Sequence, residues 1–186
     1  YAGWAVSMVH ELSVEFKEQL KKNQLEELYY RIELPLVEVL ASMEEYGIKV
    51  DITCLRRMAN EIGEKITILL EEIYQHAGEV FNVNSTKQLG GILFEKLKLP
   101  VIKKTKTGYS TDAEVLEKLV GQHAVIDRLL EYRMLTKLKS TYLDGLEGLV
   151  EKQTSRLHTT FNQTVTATGR LSSSEPNLQN IPIRTE

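Results

Sequence analysis

The 186 residues are 42% hydrophobic and 26% charged, an ordinary globular composition that fits one main domain plus part of a neighbour and excludes a disordered chain. The single cysteine, Cys54, excludes an internal disulfide and points to a reducing, cytoplasmic setting; no apolar run nears the roughly 18 residues of a membrane span, and with no basic leader ahead of an apolar stretch neither membrane insertion nor export is expected. A net charge of -3 and a pI of 5.9 weigh, as averages, against nucleic-acid binding.

The chain opens on an amphipathic pattern over residues 4–20. Leu28, Ile32, Leu36, Val39 and Met43 then step by three and four, predicting a helix that ends at Gly47 and breaks or kinks near Pro35. Asp51 is placed to cap the next helix, whose stripe of Leu55, Met58, Ile62, Ile66, Leu69, Ile73 and Ala77 runs to Gly78. Ser85 with Gln88 has capping-box spacing and starts a short helix through Leu89, Ile92 and Leu93 that Pro100 stops. Thr111 with Glu114 repeats the spacing before a second short helix ending at Gly121. A lysine-rich loop is expected between the two.

From Gly121 the positions Ile126, Leu130, Leu135, Leu138, Tyr142, Leu146 and Leu149 predict a helix of about seven turns. Neither long helix would persist alone in water with so wide an apolar face, so an antiparallel pair with the short helices at its tip is the economical packing. Beyond Lys152, Leu157, Thr159, Phe161, Thr164, Val165 and Thr168 read as strand, predicting one small antiparallel β hairpin before a Gly-, Ser-, Pro- and Asn-rich tail. The fold class is therefore mainly α.

The average charge hides an uneven distribution. Residues 11–45 hold nine Glu against Lys17, Lys21, Lys22 and Arg31, whereas residues 96–110 hold five Lys and no acid. A protein that grips a polyanion on one side has this pattern, and so does a chain with solvated charge runs. Arg133 and Lys137 lie one helical turn apart with Lys139 close behind, a spacing that suits successive phosphates. Ser140 and Thr141 add neutral donors, and Asn82, Asn84, Ser85 and Lys87 cluster at a helix start, where free amides favour an anion. His10, His76, His123 and His158 lack metal-ligand spacing, and Cys54 beside Leu55 and Met58 reads as a core thiol, so no metal site is assigned.

The segment from Thr166-Ala167-Thr168-Gly169-Arg170-Leu171 to Pro176-Asn177-Leu178-Gln179-Asn180-Ile181-Pro182-Ile183-Arg184 resembles the run leading into the palm of family A DNA polymerases, the bacterial DNA polymerase I type. The resemblance continues in Phe81-Asn82-Val83-Asn84-Ser85-Thr86-Lys87-Gln88-Leu89, in Lys103-Lys104-Thr105-Lys106-Thr107-Gly108-Tyr109-Ser110-Thr111, and in Glu131-Tyr132-Arg133 through Lys137-Leu138-Lys139-Ser140-Thr141-Tyr142. It implies the C-terminal helix of an exonuclease-like domain over 1–22, a helical thumb over 23–152 and the beginning of the palm over 153–186.

By that resemblance the parent protein is a DNA-directed DNA polymerase of replication and repair, a monomer whose partners are primer-template DNA and deoxynucleoside triphosphates. Arg170, Asn177, Gln179 and Asn180 are implied to face the duplex minor groove, where every base pair offers acceptors and donors can test pair geometry without choosing a sequence. Arg133, Lys137, Lys139, Ser140, Thr141, Asn82, Asn84, Ser85 and Lys87 are implied backbone contacts, Lys103, Lys104 and Lys106 a basic thumb tip, and Arg184 a fork near the nucleotide phosphates. Catalytic aspartates holding Mg2+ are implied beyond Glu186, leaving no catalytic residue here and no activity for the chain alone. Ala5 stands where the family's exonuclease carries a metal-binding aspartate four positions after a tyrosine, here Tyr1. A DNA-binding accessory without catalysis and a helical scaffold that never meets DNA are the alternative readings.

Overall fold

The computed structural model describes residues 2–106 and 108–182. They form two compact units, one made of the stretch up to Val50 together with Val150–Ile181 and the other of Asp51–Leu149.

The first unit begins with α1 (Ala2–Lys22), which ends on Lys21 and Lys22, cations suited to a helix C-terminus. Much of its apolar side stays in water, with Trp4 70% exposed. Helix α2 starts as Glu26–Leu28, widens into π-type turns over Tyr29–Glu33 and continues as Leu34–Tyr46. The break expected near Pro35 takes this form, because proline has no amide to close an ordinary helical bond one turn back. An apolar groove lined by Val9, Leu12, Phe16, Leu20, Tyr29 and Leu34 lies between α1 and α2.

Gly47 terminates α2 at φ 63° and ψ -176°, a conformation open essentially to glycine alone. Strand β1 (Ile48–Lys49) follows and pairs antiparallel with β4 (Arg156–Leu157). Arg156 donates to the carbonyls of Tyr46 and Gly47 at 3.2 and 3.1 Å, and its guanidinium lies 4.0 Å from the centre of the Tyr46 ring. A cation thus closes the helix where unpaired carbonyls concentrate negative charge. A hairpin forms here, β5 (Thr160–Asn162) with β6 (Ser172–Ser174), in the register Thr160 to Ser174, Phe161 to Ser173 and Asn162 to Ser172, but its second strand lies in the Ser-rich tail, and Thr164, Val165 and Thr168, read as strand, fall in the connection between the two. Two acids of the Glu-rich stretch hold it to α2: Glu44 accepts from the Phe161 amide at 2.6 Å, and Glu33 from the Gln163 side chain at 2.9 Å.

The second unit is built on two long helices. Helix α3 (Ile52–Ala77) is capped by Asp51, which accepts from the Cys54 amide at 2.9 Å, and stopped by left-handed Gly78. Helix α6 (Ala124–Lys137) runs on through π-type turns at Leu138–Asp144 to Gly145–Glu147. Arg56 meets Glu147 at 2.7 Å and Arg128 meets Glu72 at 2.8 Å. Low numbers on one helix face high numbers on the other, so the pair is antiparallel.

Between them come α4 (Thr86–Gly90, continued by π-type turns at Gly91–Lys96), the hairpin β2 (Lys104–Thr105) and β3 (Gly108–Tyr109), and α5 (Ala113–Glu117). Ile73, Leu89, Leu93, Leu116, Leu119, Val125, Ile126 and Leu129 are fully enclosed at the end of the pair that carries α4 and α5. The lysine-rich stretch expected as a loop thus forms a short hairpin. Cys54, read as a core thiol, is only half-buried and accepts a long contact from Arg57 at 3.7 Å.

Candidate nucleic-acid interface

On the second unit the predicted residues fall at the tip and along the outer half of α6. The N-terminus of α4 is ordered by its own side chains. Ser85 accepts from the Gln88 amide at 3.4 Å, half of the expected capping box, but the Gln88 carboxamide accepts instead from the Asn82 amide at 2.8 Å. Asn82 in turn accepts from the Asn84 amide at 3.0 Å, and Asn84 donates to the buried Tyr132 hydroxyl at 3.2 Å. A loop pinned this way keeps a fixed shape, with Lys87 exposed beside it.

The second expected capping box is not formed. Asp112, not Thr111, caps α5 by accepting from the Val115 amide at 3.1 Å, and Glu114 pairs with Lys118 at 2.7 Å. Thr111 is buried, and the Arg133 guanidinium donates to both its carbonyl and its hydroxyl, so neither is left unpaired there. Burial pulls the Arg133 pKa below its ordinary value, with nearby Asp112 opposing that shift. Arg133, expected on phosphates, therefore holds the far limb of the lysine hairpin to α6.

Asp112 is drawn below the usual carboxylate range by a hydrogen bond from Ser110 first, then by Lys103 and the Val115 amide. Lys103 lies 3.1 Å from Asp112, Lys104 stands 5.9 Å over the Tyr109 ring, and Lys106 is exposed. On α6, Lys137, Ser140 and Thr141 are exposed, while Lys139 contacts Asp144 at 2.7 Å on its own helix. Ser140 also donates to the Lys137 carbonyl at 3.5 Å.

On the first unit, Arg170, Asn177, Gln179 and Asn180 all belong to the loop flanking β6, and all are exposed. The Arg170 carbonyl accepts from Thr166, and the Asn177 side chain accepts from the Gln179 amide at 3.0 Å. Arg184 lies outside the described residues. Beneath this loop the buried hydroxyls of Thr159 and Ser173 meet at 2.7 Å. Sequence reading takes Thr159 only as a strand residue and gives Ser173 no role; three consecutive serines carry no alternation that could mark the middle one as inward-facing. Among the described residues no group of three His, Cys, Asp or Glu side chains is arranged to hold a metal ion.

Comparison with known proteins gives these placements a context. The family model described as DNA polymerase family A matches residues 52–186. DNA polymerase I of Bacillus subtilis (strain 168) is 51% identical over 178 residues, 96% of this chain and 20% of that protein. The thermostable DNA polymerase I of Thermus thermophilus is 51% identical over 187 residues, covering 99% of this chain and 22% of its own length. The solved structure of the POL domain of Pol1 from M. smegmatis, in complex with DNA primer-template and dNTP, superposes with a TM-score of 0.84 at 46% identity, over 96% of this chain and 31% of that one. The chain thus spans about a fifth of the length of the curated relatives it matches.

Proposed function

This chain belongs to DNA polymerase family A, and from that membership we propose that it is the part of a longer DNA-directed DNA polymerase that grips the primer-template duplex. Residues 23–152 act as the thumb, residues 153–186 open the palm, and residues 1–22 form the last helix of an exonuclease-like domain. The family match over residues 52–186 is the observation that carries this reading. Its physical support is the exposed row of Arg170, Asn177 and Asn180, donors of the kind that can touch minor-groove acceptors at any base pair, while Gln179 beside them has both ends of its carboxamide engaged within the loop. Lys87, Lys106, Lys137, Ser140 and Thr141, all exposed, supply sequence-neutral contacts to the phosphate backbone, while Arg133 serves from behind.

Phosphoryl transfer itself belongs to the whole protein. There Mg2+, bound by carboxylates outside this chain, would supply charge stabilisation for the in-line displacement. This chain's share is to seat the duplex end. The setting is cytoplasmic, and no helix among the described residues is long and apolar enough to cross a membrane.

Fluorescence anisotropy with a labelled primer-template tests the grip. Affinity should fall steeply as salt rises, since each phosphate contact releases counterions. Binding that is absent at low salt would refute it. In the complete polymerase, Arg170→Ala should slow extension more than it weakens duplex binding.

A further inference from the structure

The loop that presents Arg170, Asn177 and Asn180 is closed by groups that do not face solvent. Thr159 is 6% exposed and Ser173 4%, and their hydroxyls lie 2.7 Å apart. The Pro176 carbonyl is 2.7 Å from the Thr159 hydroxyl and 3.1 Å from that of Ser173, and the Leu178 amide donates to Ser173 Oγ at 3.1 Å. Each hydroxyl has one proton to give. One proton joins the pair; the other goes from Ser173 to the Pro176 carbonyl, or from Thr159 to the carbonyl of Pro176 or, at 3.0 Å, of Ser174.

Gln179 closes the same loop from the outside. Its Oε1 accepts from the Ser173 amide at 3.3 Å, its Nε2 donates to the Leu171 carbonyl at 2.9 Å, and its own amide donates to the Asn177 side chain at 3.0 Å. An exposed side chain normally gives its hydrogen-bonding groups to water; here both ends of the carboxamide are spent on the backbone of Leu171, just before β6, and of Ser173 within it.

We propose that Thr159, Ser173 and Gln179 are positioning residues, a brace of hydroxyl relay and carboxamide bridge that fixes the loop so that Arg170, Asn177 and Asn180 meet the duplex end in one geometry. The proposal rests on the reading that this chain grips primer-template DNA. Donors that test base-pair shape must be held to about 0.5 Å, and that tolerance comes from the groups behind them. Thr159 cannot touch DNA itself, because its side chain is enclosed by Ser173, Ser174 and Pro176. Its substitution therefore separates bracing from contact.

The test is single-turnover primer extension by the complete polymerase on matched and mismatched primer ends, with duplex affinity measured alongside. Thr159→Val should lower the matched-to-mismatched rate ratio about fivefold while affinity stays within about twofold, on the scale of one lost hydrogen bond. Thr159→Ser, which keeps the hydroxyl, should restore the ratio. Gln179→Met, at an exposed position, should act in the same direction and serves if Thr159→Val fails to fold. Combined with Arg170→Ala, Thr159→Val should cause a smaller loss than it does alone, because part of its effect runs through Arg170. An unchanged ratio in Thr159→Val and Gln179→Met, or fully additive losses, would overturn the brace while Arg170→Ala still discriminated poorly. If Arg170→Ala alters neither binding nor discrimination, the duplex-gripping reading fails and the brace fails with it.

Discussion

Arg133 reaches from α6 to Thr111, 22 positions earlier, and donates to both its carbonyl and its hydroxyl. A guanidinium engaged in this way ties the limb between the lysine hairpin and α5 to the long helix. Arg133→Ala would leave buried Thr111 groups without a donor and should cost about 2 kcal/mol of stability, read from chemical denaturation followed by circular dichroism. Arg133→Lys should recover little, because a single ammonium lacks the planar fork. A variant as stable as the parent would show that the tie is incidental.

Asp112 links the same region to pH. Its folded-state pKa is lowered by Ser110, Lys103 and the Val115 amide. A carboxyl lowered on folding contributes stability above its unfolded pKa, near 3.9, and loses it as pH falls through the folded value. The unfolding midpoint should therefore drop on acidification below about pH 4, and Asp112→Asn should show a shallower drop. Asn still caps the helix, so a difference between the two curves isolates the charge. Superimposable curves would remove Asp112 from the account.

Gly47 offers a backbone test. Added at this glycine, a Cβ would lie 2.8 Å from the Leu157 carbonyl oxygen and 2.8 Å from His158 Cε1. Gly47→Ala should cost about 1 to 3 kcal/mol from the conformation alone, with the contact to Leu157 adding to it. Faster amide exchange in β1 and β4 is the expected sign, and unchanged protection there would contradict it.

The lysine hairpin makes a prediction about salt. Lys103 already has Asp112 as a partner, whereas Lys106 is exposed. Lys106→Ala should flatten the log-log salt dependence of duplex binding by up to about 0.9, one phosphate contact, and Lys103→Ala by less. The reverse order would mean that Lys103 leaves Asp112 when DNA binds.

Much of this architecture was legible in the sequence because it follows local rules. The stripe from Leu55 to Ala77 and the cap at Asp51 gave α3, and the run past Gly121 gave α6, where Ile126 is buried and Leu130 and Leu135 pack against the core, although Val125, Leu129 and Tyr132, outside that stripe, are buried more deeply than those two leucines. Overlapping apolar positions on one helix leave its inward face undecided until a partner is known. Contacts between distant residues were not legible. Arg133 to Thr111, Arg156 to the end of α2, and Thr159 to Ser173 each join segments that no periodicity connects. The pairing of β4 with β1 rather than within the C-terminal strands was hidden for the same reason. At the candidate interface, residue types identified the donors, but not which of them are already engaged within the protein.

The position of Trp4 also decides how folding of this chain can be followed. The chain has one tryptophan, it lies on α1, and it is 70% exposed in the folded state. An indole this exposed should emit much as one in water, so melting of Asp51–Leu149 should pass almost unseen by tryptophan fluorescence. A cooperative transition is established by the coincidence of independent signals. One of those signals must be placed deliberately among the enclosed side chains around Leu116 and Leu129.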